Sequence, residues 1–240
     1  MLKAVLLPRK GFYALVGLPK IEANWQGVKA DTQALKQYHL TLNLVQNQNL
    51  PLLYPHVLAG GMHMHMLTNR HFPIGLLGAV HLKNRIHQKR PIQATELMDI
   101  HTELGQWRVT DKGLEFDFST QVFINSQLVW SEISTYFKRG QFANHQHQES
   151  TQNDAAPVEL ETIIDSTSVS HWFIPKDRGK AYARLSGDYN PIHISKHLAK
   201  LFGLKRDIAH GFGVFAHASA IEDVLPLSQS IGVLELDTLF

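Results

Sequence analysis

The chain has no cysteine among its 240 residues. That absence excludes disulfides, thiolate zinc centres and a cysteine nucleophile. Net charge is also nearly absent, because 23 Lys and Arg face 21 Asp and Glu for a formal +2. Such a balance gives no electrostatic case for nucleic acid, which calls for a strongly basic surface. No apolar run approaches the roughly 18 residues of a membrane span. The opening Met1-Leu2-Lys3-Ala4-Val5-Leu6-Leu7 is closed at once by Pro8, Arg9 and Lys10, too short for a signal peptide. A Gly-rich nucleotide loop and a Gly-x-Ser-x-Gly nucleophile elbow are both missing. What remains, 44% hydrophobic and 18% charged residues, suits a folded protein with a real core. The expectation is a soluble, cytoplasmic chain of one large domain or two smaller ones.

One boundary stands out. Residues 143–154 hold a single alanine and otherwise polar side chains, including His145 and His147. They cannot bury enough surface to fold alone, so the segment reads as a linker. The division is an N-terminal part over 1–141, a linker over 142–157 and a C-terminal part over 158–240.

The N-terminal part changes period along its length. Val57, Leu58, Met62, Met66 and Leu67 lie close to helical spacing within 54–70, with Pro73 as a stop just beyond. Strands are predicted over 78–87 and 96–104. Leu114, Phe116 and Phe118 then alternate with Glu115, Asp117 and Ser119. Val129 to Phe137 continue the two-residue period after an Asn125-Ser126-Gln127 turn, which is a hairpin pattern. One apolar helix followed by antiparallel strands indicates an α+β domain whose sheet wraps the helix.

The C-terminal part reads as a strand over 162–169 and a short helix over 177–185 stopped by Gly187. A second helix follows over 193–202, a long apolar helix over 212–224 ended by Pro226, and a strand over 231–236. After Pro226 only 14 residues remain, room for one strand, whereas a full sheet needs roughly 30–45 more. Truncation, a naturally abbreviated sheet and completion by a homodimeric or heteromeric partner all remain open.

The chemistry is concentrated in Ser186-Gly187-Asp188-Tyr189-Asn190-Pro191-Ile192-His193. Pro191 fixes its own φ and biases Asn190 toward extended backbone, so the loop is stiff. Asp188 and His193 can therefore meet at one spot, with Asn190 offering an amide to orient them. A carboxylate and an imidazole that share a water can take its proton and return one. Taken alone, an Asp-x-Asn-Pro is most often an ordinary turn. A second feature adds weight: Ala209-His210-Gly211-Phe212 opens the long apolar helix. Free N–H groups at a helix start favour negative charge, and Gly211 admits a ligand close to the backbone. Such a place can hold a thioester carbonyl as charge develops on its oxygen.

The intact Ser186 to His193 run resembles the signature of the MaoC-like, (R)-specific enoyl-CoA hydratases, the hydratase 2 group. Ile208-Ala209-His210-Gly211 resembles that family's His-Gly entry to its central helix. The resemblance implies a double hot-dog fold, a long helix wrapped by antiparallel sheet, whose second hot dog is apparently incomplete here. It implies a hydro-lyase that interconverts trans-2-enoyl and (3R)-3-hydroxyacyl thioesters in fatty-acid metabolism. Asp188 and His193 would handle the water, with a backbone N–H near Gly211 on the carbonyl. Ser186, Tyr189, Asn190, His210 and Phe212 would bind or orient the substrate, and Lys205 and Arg206 would meet the phosphates of coenzyme A or an acyl-carrier phosphopantetheine. No metal and no further cofactor are required. The run Phe72-Pro73-Ile74-Gly75-Leu76-Leu77-Gly78-Ala79-Val80-His81-Leu82 is similar to the helix-to-strand junction of a first, motif-free half that shapes the acyl tunnel. One departure is Ala216, where some single-domain relatives carry serine.

Two rival readings stay in view: an acyl thioesterase on the same fold, and a non-catalytic acyl-binding or assembly subunit. Among 15 histidines, His63 and His65 are two apart, so on a helix they face different ways and are expected to pack rather than bind metal. Lys83, Arg85, Lys89 and Arg90 form a basic cluster that fits a strand face or a phosphate contact equally well.

Overall fold

The computed structural model describes residues 11–12, 17–75, 78–142, 173–201, 203–219 and 234–239. Six strands form one antiparallel sheet: β1 (Glu22–Val28), β2 (Ala79–Gln88), β3 (Met98–Thr110), β4 (Gly113–Ile124), β5 (Gln127–Arg139) and β6 (Leu234–Leu239). Their spatial order is β1-β3-β4-β5-β2-β6.

The centre of the sheet follows from the two-residue alternation. In β4, Leu114, Phe116, Phe118, Thr120, Val122 and Ile124 are buried while the residues between them are less so. The β4–β5 turn places Asn125 at φ 49 and Ser126 at φ 64, the positive values that a two-residue hairpin needs to match strand twist. Strands β2 and β3 occupy the expected places. β2 is displaced by one residue, and β3 starts two residues late and runs on to Thr110.

Helix α2 (Tyr54–Thr68) lies against this sheet, with Pro55 in its first turn. Ala59, Met62, Met66 and Leu67 pack on strand residues such as Ile100, Phe116 and Val122. Phe116, Phe118 and Trp130 are at most 1% exposed, and each such side chain contributes roughly 1.5–3 kcal/mol by leaving water. Trp130 also donates from Nε1 to the carbonyl of Leu52 at 3.0 Å.

Two elements have no counterpart in the sequence expectations. Strand β1 carries no clear alternation, and helix α1 (Thr32–Leu42) precedes α2. The α1 signal was present in Asp31, whose Oδ1 accepts from the Ala34 N–H at 2.7 Å as an N-cap.

The C-terminal part supplies helices α3 (Arg178–Ser186), α4 (Pro191–Ile194), α5 (Lys196–Leu201) and α6 (Gly211–Ala218). Gly187 ends α3 in the left-handed region at φ 74, as its position predicted. The single helix expected over 193–202 is two helices. Ser195 is extended at φ −148 and its Oγ accepts from the Leu198 N–H at 3.4 Å, which closes α4 and starts α5. The expected strand over 162–169, the linker beyond Phe142 and the end of the helix over 212–224 lie outside the described residues. Among the described residues the C-terminal part contributes one strand, β6. It extends the N-terminal sheet by pairing with β2, from Lys83↔Leu239 to Gln88↔Leu234. Among these residues no helix is long and apolar enough to cross a membrane.

Candidate active site

The Ser186–His193 loop is held by a chain of local hydrogen bonds. The Ser186 Oγ donates to the Tyr182 carbonyl at 3.0 Å and accepts from the Asp188 N–H at 3.2 Å. Asp188 Oδ1 accepts from the Asn190 N–H at 3.0 Å, an Asx turn. Asn190 Oδ1 accepts from the Ile192 N–H at 3.4 Å and so caps α4. Its Nδ2 donates to the carbonyl of Ala79 at 3.3 Å, pinning the loop to the start of β2. Asn190 therefore positions the loop, and its amide is already engaged on both sides.

His193 is fixed from the far side. Its Nδ1 lies 3.0 Å from the carbonyl oxygen of Ile208, and the Ile208 N–H returns a bond to the Ile192 carbonyl at 3.0 Å. A carbonyl only accepts, so Nδ1 carries the proton and Nε2 keeps a free lone pair. Gly179 makes this approach possible, because a Cβ there would sit 2.1 Å from the His193 carbonyl oxygen.

His210 stands beside this pair. Its ring stacks on that of His193, with centroids 3.8 Å apart and planes 27° apart. The His210 Nε2 donates to the Asp188 carbonyl at 2.9 Å and lies 3.6 Å from Asp188 Oδ2. Asp188, His193 and His210 thus bring one oxygen and two nitrogens within 4.8 Å of one another. Donors of this kind could also hold a metal ion. Among the described residues the only other such group is Glu22, His101 and Glu103 on neighbouring strands.

Burial sets the protonation. It pushes the His193 imidazole below its ordinary 6.5, against the pull of Asp188 and the Ile208 carbonyl. Burial, with His193 beside it, pushes His210 down to about 4. Both rings are therefore neutral at neutral pH, and the Asp188 side chain, 42% exposed, faces the open side.

Helix α6 begins here. His210 is its N-cap and makes no side-chain capping bond, and among the described residues no side chain is bonded to the first N–H groups of Gly211 and Phe212. Two contacts fix this turn. Gly213 packs on the Tyr182 ring, where a Cβ would lie 2.9 Å from ring carbons. Phe212, 3% exposed, stacks on His56 of α2 at 3.7 Å and 18°.

The structure thus brings Asp188, His193, His210 and Gly211 together. Ser186 and Asn190 shape the loop. Phe212 was grouped with the substrate-contacting residues, but it faces the N-terminal core as a packing group. Tyr189 is 53% exposed at the loop's edge. Lys205 and Arg206 are exposed, and the Arg206 guanidinium turns to Asp207 at 3.5 Å. Ala216 is buried in the core. His63 is buried and bonds Thr120 Oγ1 at 2.9 Å, while His65 is exposed, so these two do face different ways. Gly179 and Tyr182 were not among the expected site residues. Tyr182 lies one helical turn ahead of Ser186, whereas nothing in the sequence marks a glycine that meets a histidine carbonyl.

The architecture is that of the hot-dog proteins, a helix against a curved antiparallel sheet. A Mycobacterium tuberculosis protein described as having a double hot-dog fold matches at TM-score 0.54 and 11% identity, over 90% of this chain and 77% of that one. Residues 141–234 match the family described as MaoC like domain. The chain is 27% identical over 207 residues to 3-hydroxyacyl-thioester dehydratase X of Mycobacterium tuberculosis, covering 86% of this chain and 71% of that protein. The crystal structure of HtdX from the same organism superposes at TM-score 0.73, with 24% identity over 92% of this chain and 82% of that one.

Proposed function

We propose that this protein is a hydro-lyase that interconverts trans-2-enoyl thioesters and (3R)-3-hydroxyacyl thioesters. The observation that carries this reading is the convergence of the Asp188 carboxylate and the His193 Nε2 lone pair beside the uncapped start of α6. The similarity to a 3-hydroxyacyl-thioester dehydratase supports it.

In the hydration direction a water sits between Asp188 and His193. The neutral His193 Nε2 takes a proton as the water oxygen bonds to C3, and Asp188 orients the water through its second hydrogen. The C2–C3 double-bond electrons move toward the thioester carbonyl, whose oxygen becomes enolate-like. The N–H groups at Gly211 and Phe212 hold that oxygen, a donor pair worth a few kcal/mol where water is excluded. A proton from the Asp188–His193 pair then adds to C2. One water is consumed, its OH on C3 and a proton on C2. Dehydration is the same path reversed. His210 holds Asp188 through the backbone bond and packs His193. The setting we propose for this activity is the cytoplasm, within fatty-acid metabolism.

Loss of enoyl absorbance on adding crotonyl-CoA tests the reading. Hydration by the wild-type chain supports it. Release of free thiol with the C2–C3 double bond retained in the released acid would instead make the protein a thioesterase.

A further inference from the structure

The groups that handle the water and the carbonyl all come from the C-terminal part, but they rest on one corner of the N-terminal sheet. Asn190 Nδ2 donates to the carbonyl of Ala79, the first residue of β2, at 3.3 Å. Two residues further along β2, His81 is the register partner of Tyr136 on β5. The His81 ring stacks on the Tyr136 ring at 4.9 Å and 9°, and on the Phe212 ring at 5.8 Å and 9°. Phe212 directly follows Gly211 at the start of α6. Tyr136 therefore stands beside both the anchor of the Asp188 loop and the turn whose N–H groups hold the carbonyl.

The ring and the hydroxyl of this residue differ in their surroundings. The ring is packed, since Phe116 stacks on it at 5.9 Å and 16° and Phe118 meets it edge-on at 5.6 Å and 83°. The hydroxyl has no hydrogen-bond partner among the described residues. Burial first, then the Asp188 carboxylate and Glu132, raise the phenol above its ordinary 10. It is therefore an O–H donor at neutral pH. Asp188 acts on it through space, while the printed partner of its carboxylate oxygen Oδ1 is the Asn190 N–H. A phenol enclosed on its ring faces and left unpaired calls for an acceptor that arrives from outside the protein.

The chemistry leaves one such acceptor. The carbonyl oxygen is taken by the N–H groups of Gly211 and Phe212. The water gives its two hydrogens to His193 and Asp188. Its oxygen has two lone pairs: one forms the bond to C3, and the other has no donor. We propose that the Tyr136 hydroxyl donates a hydrogen bond to this oxygen, so that the motif-free part supplies a substrate-contacting residue of the active site. In hydration the bond aims the remaining lone pair at C3. In dehydration it supports the departing hydroxyl oxygen, while the proton that completes the water comes from His193. Tyr136 keeps its own proton throughout. This rests on the hydro-lyase reading and adds a residue to it.

Tyr136→Phe on the full chain is the test. It keeps the ring and its stacks on His81 and Phe116, and it removes an oxygen that holds nothing in the protein, so the urea-unfolding midpoint stays at the wild-type value. The kcat for crotonyl-CoA hydration is expected to fall about tenfold, the loss of one hydrogen bond. The inhibition constant of butyryl-CoA, which has no oxygen on C3, is expected to stay at the wild-type value. Unchanged kcat overturns the proposal. Butyryl-CoA binding that weakens by the same factor also overturns it, because the phenol would then serve the carbonyl end. If wild type does not hydrate crotonyl-CoA, the hydro-lyase reading fails, and calorimetric titration decides the contact alone. Tyr136→Phe is then expected to bind (3R)-3-hydroxybutyryl-CoA about tenfold more weakly than wild type does, with butyryl-CoA unchanged. Equal changes for the two ligands, or none, overturn the contact.

Discussion

Each part of the molecule contains an acid beside histidines, and the two sets have opposite fates. In the N-terminal part, Glu132 is 1% exposed. His56 Nδ1 donates to its Oε1 at 2.6 Å, and Asn84 Nδ2 donates to the same oxygen and to Ser134 Oγ. Burial works to raise the Glu132 carboxyl, but His56, His63 and Asn84 outweigh it and hold the group at about 2. In the C-terminal part, Asp188 is 42% exposed and its histidines leave His193 Nε2 open. The residue types are alike. What separates a structural pair from a chemical one is that the first is enclosed in the core and the second keeps a lone pair and a carboxylate facing outward. The pairs meet at one contact, the stack of His56 on Phe212 at the start of α6. The motif-free part thereby supports the turn that the motif-bearing part uses.

The largest expected effect breaks the outward-facing pair. Asp188→Asn and His193→Ala should each lower kcat for crotonyl-CoA hydration by roughly 10²–10⁴-fold, the usual contribution of a positioned acid or base. The melting temperature of Asp188→Asn should move little, since an amide oxygen can still accept from the Asn190 N–H, whereas His193→Ala also loses the stack on His210 and the bond to the Ile208 carbonyl and should melt lower. Full activity in both variants would remove the assigned roles. The inward-facing pair should respond in the opposite sense. Glu132→Leu leaves His56 and Asn84 without their acceptor and should cost about 3–5 kcal/mol of stability. Urea unfolding measures it, and a change below about 1 kcal/mol would show that the pair does not hold the core.

Gly179 joins the two behaviours and should show an intermediate effect. A methyl at this position meets the His193 carbonyl oxygen at 2.1 Å, which forces α3 and α4 apart. Gly179→Ala should cost about 1–3 kcal/mol of stability and also lower kcat, because His193 moves with its backbone. A variant that loses stability and keeps its kcat per folded molecule would show that His193 tolerates the shift.

The legible parts of the structure were those with strong periodicity or fixed backbone chemistry. β4 was readable because one face is buried along its whole length, and Gly187 because a helix stop needs positive φ; in β5 the buried face is Trp130, Glu132 and Ser134, whereas Ile133 of the expected period is 39% exposed. The Asp188–His193 loop was readable because Pro191 and the Asx turn determine its shape locally. Strand β1 was not, since a sheet-edge strand that is mostly exposed has no reason to alternate. Phe212 was misplaced for a related reason. Adjacency to Gly211 in sequence puts it near the site, but the helical turn sends its ring into the opposite part of the molecule. The Glu132–His56 pair was invisible because its members are 76 residues apart. Only the packing of α2 on the sheet brings them together.

The smallest effect, counted per unit of pH, separates the two sets of histidines by what protonation does. Burial holds the imidazoles of His63 and His81 down at about 3, from an ordinary 6.5. Below 6.5 the unfolded chain binds protons that these folded rings refuse. Stability is therefore full above pH 6.5 and falls as pH drops toward the folded values. Each such ring contributes about 1.4 kcal/mol per pH unit across that window. Glu132 has the opposite ordering of folded and unfolded values, about 2 against 4.5, so its stabilisation is present above 4.5 and is lost only below that. Denaturant unfolding at pH 7.5, 6.5 and 5.5 should thus show loss in the histidine window first. His63→Leu should reduce the slope there by about 1.4 kcal/mol per pH unit, because Thr120 keeps its bond to Thr102 at 3.0 Å and no acceptor is stranded. The same variant should leave the acid limb of activity where it is, since that limb belongs to His193, whose neutral Nε2 is lost as pH falls through its lowered pKa. An activity limb that moves with His63 would mean that the two sets of histidines titrate as one network, and that the separation between structural and chemical pairs does not hold.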